Sequence, residues 1–109
     1  MTRNDLFAAI EDMARRIAEG FAPERIILFG SHARGDGGED SDIDLLVLFR
    51  DLENPRQKAL ELYAALSGSA LPKDIVVSTP DRFERYKDVV NTVYWPAARE
   101  GKVLYDRAA

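Results

Sequence analysis

Apolar residues recur at Leu6, Ile10, Met13 and Ile17, with Ala9 and Ala14 beside them. Spacings of four, three and four place them on one stripe of a helix, which predicts a helix from about Asn4 to Glu19. Asp5, Glu11 and Asp12 come early and Arg15 and Arg16 later, as the helix dipole favours, and Gly20 reads as the stop. After Pro23 the pattern changes. Ile26 to Phe29 is a short continuous apolar run, as expected of a strand buried on both faces. Gly30 ends it. Ser31 reads as a helix N-cap and Gly35 as a stop, so Ser31 to Arg34 is predicted to form one helical turn.

Asp36 to Ser41 is a polar loop, and Ile43 to Phe49 is a second, central strand. Pro55 suits the first position of a helix running to about Ser67, with Ala59, Leu62, Tyr63 and Leu66 along one side. Gly68, Ser69 and Pro72 mark a loop, and Asp74 to Ser78 a third strand. Thr79-Pro80 is a cap and first-turn pair that starts a helix from Asp81 to about Val90. Asn91 to Glu100 reads as helical but interrupted at Pro96, and Lys102 to Tyr105 as an edge strand. The order helix, strand, strand, helix, strand, helix, helix, strand predicts a two-layer α/β (α+β) domain with a small mixed sheet. With 109 residues, one compact domain over 1–109 is expected.

One residue breaks the apolar pattern. Asp44 lies inside the predicted central strand, where an ionised carboxylate is costly unless something positive compensates it. Residues two apart in a strand lie about 6.6 Å apart on one face. Asp42 and Asp44 therefore aim at one spot, and Ile43 and Leu45 go to the other face. Asp74 opens the third strand. If that strand lies beside the second, three carboxylates converge at one end of the sheet, and like charges so placed call for a cation. Hard divalent ions suit carboxylate oxygens, and Mg²⁺ typically takes one or two carboxylates plus substrate phosphates. A pair of ions about 3.5–4 Å apart clamps both oxygens of an in-line phosphoryl displacement. Gly30 lets a phosphate approach the backbone, Ser31 adds a hydroxyl and helix-terminal N–H groups, and Arg34 is near enough to reach a phosphate.

Composition narrows the classes. No stretch approaches ~20 uninterrupted apolar residues, which excludes a membrane helix. The N-terminus lacks a charged-then-apolar signal layout. With no cysteine there is no disulfide and no zinc–thiolate site, and the cytoplasm is the expected compartment. A net charge of −4 makes nucleic acid a poor partner, so a nucleotide would need a local device. His32, the only histidine, reads as a partly exposed helical residue, and Tyr63, Tyr86, Tyr94 and Trp95 as packing or interface residues rather than parts of a site. Gly30 to Gly35 has the glycine spacing of a P-loop, but Asp36 stands where that loop needs Lys. Asp40, Asp42 and Asp44 imitate a calcium loop, yet Leu45 and Asp51 stand where it needs Gly and Glu.

Gly30-Ser31, ten intervening residues, then Asp42-Ile43-Asp44 resembles the signature of the DNA polymerase β-type nucleotidyltransferase superfamily. Ala33-Arg34-Gly35, Ser41 to Leu45, and Arg99 to Tyr105 are similar to its smallest members, the minimal nucleotidyltransferases (MNT), and Asp74 within Lys73-Asp74-Ile75-Val76 matches the third acid. The resemblance implies a two-layer nucleotidyltransferase fold with helices packed mainly on one face. It implies that Asp42 and Asp44 are Mg²⁺ ligands, two ions being expected, and that Asp74 completes the metal site or helps deprotonate the attacking hydroxyl. It gives Gly30 and Ser31, and more weakly Arg34, to the phosphates of ATP. Minimal members often pair with a HEPN-domain toxin, acting as antitoxin by adenylylating (AMPylating) a tyrosine of the toxin, so a HEPN partner in a homo- or hetero-oligomer is the expectation. Two other readings stand beside it: a non-catalytic module that neutralises a HEPN partner by contact, and nucleotidyl transfer to a small molecule.

Overall fold

The structure is a computed structural model that describes residues 1–109. The first helix, α1 (Arg3–Phe21), is closed at its start by a capping box. The Thr2 hydroxyl accepts from the Asp5 N–H at 3.0 Å, and Asp5 Oδ2 accepts from the Thr2 N–H at 2.9 Å. Its apolar stripe, Leu6, Ile10, Met13, Ala14 and Ile17, is buried. Gly20 does not stop it. The helix continues through Phe21, which packs on the core, and ends where Ala22 turns left-handed at φ 47° ahead of Pro23.

Strand β1 (Arg25–Phe29) leads into the short helix α2 (Ser31–Arg34) and then β2 (Ile43–Leu48). Helix α3 (Pro55–Ala65) crosses over to β3 (Lys73–Ser78), and α4 (Pro80–Tyr86), α5 (Tyr94–Glu100) and β4 (Lys102–Asp106) complete the chain. The sheet has the order β3-β2-β1-β4. β1 runs antiparallel to both β2 and β4, whereas β2 and β3 are parallel, as a helical crossover permits. The two inner strands are the two with continuous apolar runs, because both of their faces are covered.

The longer helices α1 and α3 share one face, over Ile26, Leu28, Ile43, Leu45, Val47 and Ile75. The short α4 and α5 cover part of the other, where Phe83, Tyr94 and Ala97 meet Ile27, Phe29, Leu46 and Leu48. Helices are thus packed mainly on one face of a small mixed sheet. On the second face the buried Ser78 Oγ and Tyr94 Oη lie 2.7 Å apart in a hydrogen bond, and Tyr94 stacks on Tyr86. α4 ends at Tyr86, short of the expected Val90, and α5 starts only at Tyr94. Pro96 does not interrupt it, because it falls in the first turn, where no N–H partner is needed.

Candidate active site

Register builds the site from β1, β2 and β3. Phe29, Asp44 and Asp74 lie in one row across the three strands. Paired residues share a face, so the Asp44 and Asp74 side chains leave the sheet on the same side, the side of Leu46 and Leu48. Asp74 is exposed and Asp44 half-buried. Ile43 and Leu45, the neighbours of Asp44, go to the opposite core.

Gly30 follows Phe29 and turns the chain at φ 75°. Any side chain there would be strained, and a methyl group would collide with Asp44 Oδ2. The glycine therefore brings the backbone of the turn against the carboxylate, with Ser31 next to it. Gly30, and not Ser31, is the N-cap of α2, and no side chain caps the first turn. The Ala33 and Arg34 N–H groups both donate to the Gly30 carbonyl, at 3.1 Å each.

Burial pushes the Asp44 carboxyl above the usual carboxylate range, and the negative charges of Asp74 and then Asp42 push the same way. His32 and Arg34 pull in the other direction and do not cancel the rise. Asp42 is thus close enough to act on Asp44, although it is exposed and precedes β2. Asp42, Asp44 and Asp74 do not close into a preformed three-donor metal cage. Mg²⁺ does not ask for one, since it keeps waters and shares its ligands with substrate phosphates. The donors are hard oxygens, and one carboxylate is held at a cost with only partial positive compensation. That donor chemistry fits Mg²⁺.

The other predicted residues divide. Arg34 pairs with Glu100 at 3.0 Å and with Asp36 at 3.5 Å, so its fork is engaged by acids of the protein. The pattern of the sequence held no sign of Glu100, which arrives from the far end of α5. His32 is half-buried, and its Nε2 lies 3.1 Å from the Ser41 carbonyl, tying α2 to the end of the loop that leads into Asp42. Gly37 packs against the same ring, where a side chain would collide. Tyr63 Oη sits 3.4 Å from Asp74 Oδ1, a contact across two elements that no local motif signals.

A family model described as a nucleotidyltransferase domain matches residues 10–97, the span that contains this row of acids and the glycine turn. The chain belongs to the nucleotidyltransferase domain family. A Methanocaldococcus jannaschii protein named as a candidate protein adenylyltransferase is 40% identical over 55 residues, which is 50% of this chain and 54% of that relative. The matched part is thus little more than half of the relative's length. Among solved structures, a candidate nucleotidyltransferase from Sulfolobus solfataricus superposes with a TM-score of 0.69 over 97% of this chain and 85% of its own, at 19% identity. A toxin–antitoxin structure with AMP-PNP gives a TM-score of 0.57 over 88% of this chain and 73% of its own, at 26% identity. A mutant MntA–HpeT toxin–antitoxin structure gives 0.51 over 97% and 74%, at 22% identity. The nucleotidyltransferase fold expected from the sequence is the fold of these neighbours.

Proposed function

We propose that this chain, acting as one domain over 1–109, transfers AMP from ATP to a hydroxyl in a Mg²⁺-dependent reaction. Asp44 carries the reading: a half-buried carboxylate, raised by burial and by Asp74, pressed against a positive-φ glycine turn where an added methyl group would collide with it. Asp42 and Asp44 would hold the metal, with Asp74 completing the site. Mg²⁺, when bound, would supply charge neutralisation at the triphosphate and at the developing negative charge. Gly30 and Ser31 would take the β- and γ-phosphates on backbone N–H groups and the serine hydroxyl. Asp74, exposed at the outer strand, would accept the proton of the attacking hydroxyl. The oxygen so activated attacks the α-phosphorus, the bond from that phosphorus to the bridging oxygen breaks, and pyrophosphate leaves. Arg34 would reach the phosphates only after exchanging Glu100 or Asp36 for them.

For the acceptor we propose a tyrosine on a HEPN-domain toxin, which makes this chain the antitoxin of the pair. Two of the structural neighbours are toxin–antitoxin complexes, one of them with AMP-PNP, and that supports both the partner class and the nucleotide. No helix of the structure is long and apolar enough to cross a membrane, which suits a partner and a nucleotide met in the cytoplasm. The test is to combine the protein, ATP, Mg²⁺ and the product of the adjacent gene, and to weigh that product. A gain of one or more AMP units on a tyrosine, lost with Asp42→Ala or Asp44→Ala, is the expected outcome. A folded protein that leaves the candidate partner unmodified, or transfer that survives both substitutions, would overturn the assignment.

A further inference from the structure

Tyr63 stands where the crossover helix meets the acid end of the sheet. β3 is an outer strand, so the backbone N–H groups on its free side need partners from elsewhere. The Ile75 N–H finds one in Tyr63 Oη, at 2.8 Å. A phenol carries one hydrogen, and an oxygen that accepts from Ile75 keeps that hydrogen to donate. Asp74 Oδ1 lies 3.4 Å away and is the acceptor within reach. One side chain thus spans two consecutive residues of β3. It secures the strand edge through the backbone of Ile75, and it fixes one oxygen of the Asp74 carboxylate.

The helix behind this contact is anchored in the core, although the Tyr63 side chain is itself exposed. Tyr63 follows Leu62 on α3, and Leu62 and Leu66 are fully buried in the core beneath the sheet. Asp74 itself is exposed, and Tyr63 is the only side chain that bonds it. Without that bond its carboxylate would sample the several rotamers open to a surface aspartate. We propose that Tyr63 is a positioning residue for Asp74: it holds the third carboxylate in the orientation in which it meets a nucleotide-bound divalent cation beside Asp44. This rests on the nucleotidyl-transfer reading above. It adds a role for a residue of the crossover helix that touches neither the glycine turn nor the central strand's acids.

A tyrosine that merely closed the strand edge would leave metal binding untouched, and this separates the two possibilities. Mn²⁺ with ATP, and no acceptor, is the probe. For wild type, Mn²⁺·ATP should bind and should change the ultraviolet absorption of one phenol as Asp74 Oδ1 is recruited. For Tyr63→Phe the affinity should fall about tenfold or more, the range in which partners of ligating carboxylates act. The phenol difference signal should vanish in Tyr63→Phe and in Asp74→Asn, and the double variant should bind no worse than Asp74→Asn alone, because both changes break one chain of contacts. The wild-type difference spectrum and its loss in Asp74→Asn do not depend on how well Tyr63→Phe folds. The inference is overturned if Tyr63→Phe binds Mn²⁺·ATP as tightly as wild type, or if the phenol signal is absent while wild type binds. If wild type binds no Mn²⁺·ATP, the transfer reading itself falls, a result recognisable before any variant is made.

Discussion

Replacing Asp44 by Asn should make the metal-free protein more stable and the ligand-bound protein less so. Asn keeps the shape of the side chain and removes the charge, and Asp44 carries no protein hydrogen bond among the causes of its shift. Neighbouring strands lie about 4.8 Å apart, so charges on Asp44 and Asp74 at about 5 Å repel by about 3 kcal/mol at an effective dielectric of 20 and by about 0.8 kcal/mol in bulk water. Asp74 is exposed and Asp44 only half-buried, so solvent screens the pair toward the lower figure, and about 1–2 kcal/mol is expected. Thermal unfolding at neutral pH without divalent ions should then show a Tm raised by about 4–8 °C for each kcal/mol. Acid should erase the difference. An acid whose folded-state value stands above the ordinary 3.8 contributes stability that is complete below 3.8 and is lost as pH rises through the folded value. Wild type alone suffers that loss, so the two proteins should converge at low pH and diverge as pH climbs. Saturating Mg²⁺·ATP should reverse the order, since a ligand at a hundred times its Kd stabilises wild type by about 2.7 kcal/mol and the Asp44→Asn variant would forgo most of it. If Asp44→Asn is the less stable protein at neutral pH without metal, the carboxylate is not under strain, and the case for a cation site loses its foundation.

Gly30→Ala should lower stability by about 1–3 kcal/mol for the strained backbone at φ 75° and ψ −156° alone, with more for the clash against Asp44 Oδ2, and should abolish Mg²⁺·ATP binding. Chemical denaturation of Gly30→Ala, Asp44→Ala and the pair checks this: the double variant should be more stable than the sum of the two single effects allows. Tyr94→Phe removes one half of a buried hydrogen bond and leaves Ser78 Oγ unpaired, at a cost of about 1–3 kcal/mol. Nucleotide binding should be unchanged in that variant, because Ser78 closes β3 at the end away from Asp74; calorimetric titration with Mg²⁺·ATP measures it.

The sheet and most of its helices were legible because their causes are local. Continuous apolar runs marked the two inner strands, a period of 3.6 marked α1, and Thr79-Pro80 started α4 as a cap and first-turn pair should. Asp44 stood out for the same reason: one polar residue inside an apolar run needs no neighbour to be conspicuous. Where local signals competed with tertiary contacts, the reading shifted. Gly20 looked like a stop, yet Phe21 had a place in the core to reach, and the helix followed it. Ser31 had the chemistry of a cap, but the turn needed the positive φ that Gly30 supplies. Glu100 on Arg34, and Tyr63 on Asp74, were invisible because each joins residues that only the folded sheet brings together.

The parallel pairing of β2 with β3 also constrains what this chain can tolerate in its length. A slip of one residue in that pairing would turn Asp74 through the sheet, under α3, and leave Lys73 facing Asp44's side. Insertions and deletions between Leu48 and Lys73 must therefore be absorbed in the coils on either side of α3, never in the ladder itself. In this chain the crossover helix works as a ruler, and its graduation is the step from one acid to the next.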